Sequence, residues 1–288
     1  MDKANPLPVW KKSACNPVLV ADAIEGGVLV RDGAVLHEDD EFSMWYWGTS
    51  GVYFATSADG MSWLKHGEVM PEYGRPSVTR KGDTYYVYVN DETQIRLFTS
   101  KEPMGRYTDM GQVMVPTEPF EEGRIKSPWV LWDPDEDLFK MWYTAGEIRP
   151  LAVSWTEPKV AGYATSLDGV IWTKRPAPVL TAEQDDGWRH LAVMTLHPTK
   201  YLGRYYALAS YGDSAGVSRI GFIESTNGVD WDTSDATPAI DVGNPGDWDQ
   251  SDCYTGTVLN INGFWRMWYN ARNASDSNRE SIGIAELV

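Results

Sequence analysis

The sequence predicts a single all-β domain folded as a five-bladed β-propeller, each blade a four-stranded antiparallel meander, with the last blade closed by the N-terminal strand. Three observations carry that expectation. A Ser-x-Asp/Asn-Gly-x-x-Trp segment recurs without gaps at Ser57–Trp63, Ser166–Trp172 and Ser225–Trp231, with a looser copy from Leu97 to Tyr107 and a truncated one at Ile282–Leu287. A short aromatic strand precedes every copy, at Phe42–Tyr46, Tyr85–Tyr88, Phe139–Tyr143, Tyr205–Leu208 and Trp265–Tyr269. Finally, Val9-Trp10-Lys11-Lys12 and Asn16-Pro17-Val18-Leu19 imitate Ile171-Trp172-Thr173-Lys174 and Ala177-Pro178-Val179-Leu180, the outer strand of the third copy.

Taken in order, each unit begins with an inner strand: Ala34–His37, Ser77–Thr79, Trp129–Trp132, Ala192–Thr195 and Thr257–Asn260. Turns such as Asp133-Pro134-Asp135 and Asn262-Gly263 lead to the aromatic strand, and the Asp-Gly or Asn-Gly pairs lead from the third strand to the fourth. The blades then run over about 28–70, 75–115, 125–181, 189–241 and 254–288, the last completed by 9–19. Because the fifth copy stops after its third strand, its edge needs cover, and the N-terminal segment supplies it. The repeated Ser, Asp and Trp are read as scaffold, with no catalytic role.

Composition bounds the partners. A formal charge of −16 opposes nucleic acid and anionic membrane surfaces, and 14 Trp against 7 Phe favour strands and sugar-stacking surfaces, so a carbohydrate ligand is expected. No apolar run approaches 20 residues and no signal segment is visible, which predicts a cytoplasmic protein, or a secreted one if a signal has been removed. A monomer or weak homo-oligomer is expected. Cys15 and Cys253 lack metal-like spacing and are read as free thiols, since outer and inner strands of one blade stand roughly 14 Å apart. No cofactor and no metal site are required, although the central channel leaves room for a structural ion.

Loops entering the inner strands and joining second to third strands emerge on one face, which is where the site is expected. Aligning the inner strands on their valines places Asp32, Arg75, Ser127, His190 and Thr255 at equivalent positions, preceded by Arg31, Gly74, Lys126, Arg189 and Tyr254. The long loop from Gly146 to Glu157 forms a wall. A carboxylate at a strand mouth is costly unless solvated or paired, so Asp32 is read as a general base or as half of an ion pair.

The repeated Tyr163–Trp172 pattern and the Arg31-Asp32-Gly33 start of the first blade resemble the arabinanase/β-xylosidase (family 43) and invertase/levanase (family 32) glycoside hydrolases, across essentially the whole chain. The resemblance implies a first-blade Asp, here Asp32, a second Asp on the third blade and an acid Glu on the fourth. This sequence has Lys126-Ser127-Pro128 and Trp188-Arg189-His190 at the latter two places.

Inverting hydrolysis needs a base and an acid about 6.5–9.5 Å apart. With Asp32 as base, the acid candidates are Glu147, Asp249, Asp252 and His190. Trp155, Trp188 and Trp248 are stacking candidates. Arg31, Arg75, Arg124, Lys126, Arg189 and His190 form a cationic patch that either pairs with Asp32, Asp249 and Asp252 or binds a uronate or phosphate. The expected activity is hydrolysis of an arabinofuranoside-, xyloside- or fructoside-like or uronate-bearing oligosaccharide. The alternatives are a phosphorylase resembling the mannoside phosphorylases and a non-catalytic carbohydrate-binding propeller.

Overall fold

The computed structural model describes residues 9–27, 29–91, 93–149, 156–182, 187–189, 191–234, 237–273 and 279–288. The chain enters through β1 (Trp10–Lys12) and builds blade one from β2 (Arg31–Glu38), β3 (Glu41–Trp47), β4 (Gly51–Ser57) and β5 (Leu64–Pro71). Blade two follows with β6 (Gly74–Lys81), β7 (Thr84–Asn90), β8 (Ile95–Ser100) and β9 (Thr108–Met114). Blade three contains β10 (Ile125–Asp133), β11 (Leu138–Ala145), β12 (Val160–Ser166) and β13 (Thr173–Lys174), with β14 (Leu180–Thr181) also pairing β12. Blade four is β15 (Ala192–Tyr201), β16 (Arg204–Gly212), β17 (Ser218–Ser225) and β18 (Trp231–Asp232). Blade five is β19 (Asp252–Ile261), β20 (Phe264–Arg272) and β21 (Glu280–Leu287), closed by β1.

All strand pairs are antiparallel, and β1 pairs β21 with Trp10 opposite Leu287 and Lys12 opposite Ala285. Farther along the same edge, Asn16 inserts its side-chain amide into the ladder as a substitute peptide. Its Nδ2 donates to the Ile284 carbonyl at 3.0 Å and its Oδ1 accepts from the Ile284 N–H at 2.8 Å. Leu19 then bridges Ile282. Among the described residues no helix is long and apolar enough to cross a membrane.

The repeated turn works through hydrogen bonds that its residue types make obligatory. Ser57 Oγ accepts from the Gly60 N–H at 2.8 Å, and Asp59 Oδ1 accepts from the Met61 and Ser62 N–H groups at 2.8 and 2.7 Å. Ser166 with Asp168 and Ser225 with Asn227 repeat the pattern. Backbone and hydroxyl donors hold the Asp59 carboxyl down at about 2.

These turns also latch the blades together. Trp268 Nε1 donates to the Gly60 carbonyl, Trp142 Nε1 to that of Gly228 and Tyr88 Oη to that of Gly169, while Trp45 Nε1 reaches Tyr107 Oη, all at 2.7–2.8 Å. Each link joins a second strand to the outer turn of the following blade. A Cβ at Gly228 would stand 2.9 Å from the Trp142 ring, at a φ of +74° that suits glycine.

A second repeat fixes the upper ends of the three Met-Trp-Tyr blades. A loop carboxylate accepts from the tyrosine of the second strand and from a lysine of the fourth, and that lysine also caps a backbone carbonyl. The sets are Tyr46–Glu25–Lys65 with Val20, Tyr143–Glu121–Lys174 with Val115, and Tyr269–Asp249–Lys12 with Asp241. Burial pushes the three phenols well up, so they remain donors.

Candidate functional site

Each inner strand carries a β-bulge at its mouth, marked by register shifts at Arg31/Ala34, Gly74/Ser77, Lys126/Trp129, Val193/Thr195 and Tyr254/Gly256. At four of these the extra residue lies in the left-handed region, Asp32, Arg75, Ser127 and Thr255 having φ of 52°, 49°, 48° and 42°. A bulge re-aims a side chain, and here it places these four at the wall of one axial cavity of about 230 Å³. Hydroxyls tie neighbouring inner strands together beneath it: Thr257 Oγ1 donates to the Gly33 carbonyl at 2.8 Å and Ser77 Oγ accepts from the Val130 N–H at 2.7 Å. The site therefore stands on a rigid ring.

The fourth bulge corrects the sequence alignment. Met194 is the blade-four residue at the bulge position on the cavity wall, and His197 takes the place of the central valines Val35, Val78, Val130 and Val258. His190 and Trp155 lie outside the described residues.

Asp32 is buried, and its Oδ1 accepts from Asn270 Nδ2 at 3.0 Å. Its Oδ2 has no hydrogen-bond partner among the described residues, and Asp32 lines the cavity. Arg31 lies 3.7 Å over the Trp47 ring and gives Nη1 to Glu280 at 3.3 Å, while Arg75 approaches the same ring at 5.0 Å. The Tyr254 phenol lies close to Glu280. Burial, reinforced by the charges of Glu280 and Asp32, pushes it well up and keeps it a donor. Lys126, Ser127, Thr195 and Ser218 complete most of the polar wall.

Glu157 is the carboxylate that the sequence reading left unassigned. It closes the third-blade loop through a two-bond bridge with Ile148, both bonds 2.7 Å, and the adjoining Pro158 carbonyl accepts from the Val193 N–H at 3.1 Å. Glu157 therefore enters the cavity at the junction of blades three and four, across the ring from Asp32 on blade one.

The acid candidates Asp249, Asp252 and Glu147 do not line the axial cavity. Asp249 is the blade-five clamp, 2.6 Å from Lys12 Nζ. Asp252 accepts from Arg272 Nε at 2.7 Å and from the Ser218 N–H at 2.9 Å, so it anchors two cavity residues from behind. Glu147 pairs with Arg124 at 3.1 Å, both half-buried and neither on the cavity wall. Trp248 packs on Tyr269 and covers Gly283. Trp188 lines a neighbouring cavity, with buried Arg189 over its ring at 5.2 Å. Thus Arg31, Asp32, Arg75 and Lys126 line one cavity together with Glu157, Tyr254, Arg272 and Glu280, whereas Arg124 and Arg189 do not.

His197 is fully buried in the channel, stacked on Trp129 at 4.2 Å, with Nδ1 donating to the Gly256 carbonyl at 2.8 Å. A small void of about 10 Å³ shares Asp32, Arg75, Ser127 and Thr255 with the cavity and reaches this ring. Among the described residues no three His, Cys, Asp or Glu side chains converge to hold a channel ion. Burial depresses the imidazole to about 4. Between that value and the unfolded value of about 6.5 only the unfolded chain binds the proton, so stability falls as pH drops through this window. The expected loss is about 2 kcal/mol at pH 5 relative to neutrality. Urea titrations at both pH values test this: His197→Gln should remove most of the difference, and an equally steep acid limb in the variant contradicts it.

No protein-family model matches the sequence, and no curated protein does. Solved structures do match in fold. A thermostable family-43 glycoside hydrolase superposes with a TM-score of 0.72 at 15% identity, covering 95% of this chain and 92% of the other. Zg3597, a family 117 glycoside hydrolase from the marine bacterium Zobellia galactanivorans, gives 0.69 at 14%, covering 97% and 90%. A β-1,2-mannobiose phosphorylase from Listeria innocua gives 0.71 at 12%, covering 96% of both chains. The chain thus shares the propeller fold of these carbohydrate-active enzymes, and at such identities the likeness concerns fold alone.

Proposed function

We propose that the chain is a glycosidase-type enzyme that cleaves a glycosidic bond in the axial cavity by inversion. The observation that carries this reading is Asp32 on the cavity wall, held by Asn270 through one oxygen with the other unpartnered among the described residues, and faced across the ring by Glu157. In the proposed step a water oxygen bonds to the anomeric carbon as its proton passes to Asp32 Oδ2. The bond to the leaving oxygen breaks as Glu157, entering as the carboxylic acid, protonates that oxygen. Arg31, paired with Glu280 and lying over Trp47, orients sugar hydroxyls together with that carboxylate. The ligand class is a saccharide small enough for one ring in about 230 Å³, below the ~300–1,000 Å³ typical of pockets for drug-sized ligands.

Turnover of an aryl-glycoside panel covering arabinofuranosides, xylosides, fructosides, mannosides and uronides, with and without inorganic phosphate, tests this reading. Hydrolysis independent of phosphate is expected. Phosphate-dependent turnover would instead support phosphorolysis, a reading favoured by Arg75, Lys126 and Arg272 on the same wall. Saccharide binding with no turnover under either condition would make the chain a binding module. For Glu157→Gln we expect kcat to fall about 100-fold on substrates with a sugar leaving group, and far less with an activated nitrophenyl leaving group. Equal losses on both remove Glu157 as the acid.

A further inference from the structure

The geometry points to a second sugar-binding subsite on blade four, immediately beside the axial cavity, that takes the next residue of a neutral oligosaccharide. This inference rests on the glycosidase reading and extends it from one sugar ring to a chain. The subsite is a cavity of about 370 Å³ whose wall includes Trp188, Asp213, Arg219 and Asp241. It is larger than the axial cavity, and nothing in the proposed chemical step uses it.

Its chemistry is that of a sugar face. Trp188 is half-buried, braced edge-on by Tyr211 at 5.4 Å and packed close to Gly221, so the indole is fixed before any ligand arrives. Beside it Arg219 gives Nη1 to Asp213 at 2.9 Å and Nε to Asp241 at 2.7 Å. Both hydrogen bonds to the Asp241 carboxylate, from Arg219 and from the Val242 N–H, go to Oδ1. Arg219 Nη2 and Asp241 Oδ2 therefore remain uncommitted among the described residues, a donor and an acceptor held next to each other. Two adjacent sugar hydroxyls satisfy that pair, one accepting from the guanidinium and one donating to the carboxylate, while the apolar ring face lies on the indole. The opposed charges disfavour a purely anionic or purely cationic ligand.

The two cavities are separated by a single loop between β16 and β17. Gly216 and Ser218 face the axial cavity, whereas Asp213, Ser214 and Ala215 face the subsite. The loop crest is small: Gly216 has a φ of +78° and its N–H bonds the Asp213 carbonyl at 3.0 Å. A position without a Cβ lets a ligand pass close to backbone. A glycan seated in the axial cavity is thereby directed over Gly216 onto Trp188.

Calorimetric titration of the full-length Asp32→Asn protein with arabinotriose, xylotriose and mannotriose, each against its monosaccharide, tests the subsite while leaving the probes uncleaved. For the sugar that binds, the trisaccharide should be tighter than the monosaccharide by about tenfold or more. That ratio should collapse toward one in Trp188→Ala and in Asp241→Ala, with partial recovery in Trp188→Phe. The exposed position of Asp241 keeps the test valid if the tryptophan variant fails to fold. Monosaccharide binding that a longer chain does not improve, or a ratio indifferent to Asp241→Ala, overturns the subsite alone. Failure of every probe to bind overturns both it and the glycosidase reading.

Discussion

Replacing Asp32 by Asn should lower kcat by about a thousandfold while leaving the melting temperature unchanged. The amide preserves the shape and still accepts the 3.0 Å bond from Asn270, so the bulge and the cavity wall survive. What it lacks is basicity, and loss of a positioned base removes a factor of about 10²–10⁴. The competing account makes Asp32 a partner of its cationic neighbours Arg31 and Arg75, with no chemical role. Under that account the variant loses about 1–3 kcal/mol of stability and keeps most of its rate. Turnover and melting temperature measured on the same preparation separate the two, and near-normal turnover removes Asp32 from the mechanism.

Breaking the N-terminal closure should have the largest effect on stability. In Lys12→Met the Asp249 carboxylate stays buried beside Tyr269 without its ammonium partner, which costs about 3–5 kcal/mol. A fall in melting temperature of about 10 °C follows for a domain of this size. Removing residues 1–19 should cost more, because Trp10 and Leu19 are also withdrawn from the core and the β21 edge is exposed. Lys11→Met, at the exposed neighbouring position, is the control and should leave melting unchanged. Normal melting of the truncated chain would contradict the closure.

The architecture was legible because it is written in local chemistry. Each Ser-x-Asp-Gly segment makes its own turn bonds within a few residues, and each Met-Trp-Tyr strand carries the rings that latch and clamp the blades. The N-terminal strand was legible by its likeness to 171–180. The fourth blade was misaligned because Val193 stood in for a valine that blade four lacks; His197 occupies that position. Counting back from the Leu202-Gly203 turn, as from Asn262-Gly263, comes within a residue of Met194.

The proposed acid was not legible for a different reason. Glu147 and Glu157 lie in one loop, and only the Ile148 bridge and the Pro158–Val193 contact decide which of them reaches the cavity. Those bonds join segments that no periodicity relates. The sequence leaves Asp249 among the acid candidates because its partner Lys12 is 237 residues away. It leaves Asp252 there too, since its guanidinium partner Arg272 arrives on the neighbouring strand.

The most direct measurement is a crystal structure of Asp32→Asn soaked with the aryl glycoside that the wild-type protein turns over. The account predicts the sugar ring in the axial cavity, its anomeric carbon between the substituted side chain and Glu157, and a water held beside the new amide. A saccharide bound elsewhere with the axial cavity open, or one whose anomeric carbon faces neither residue, would contradict it.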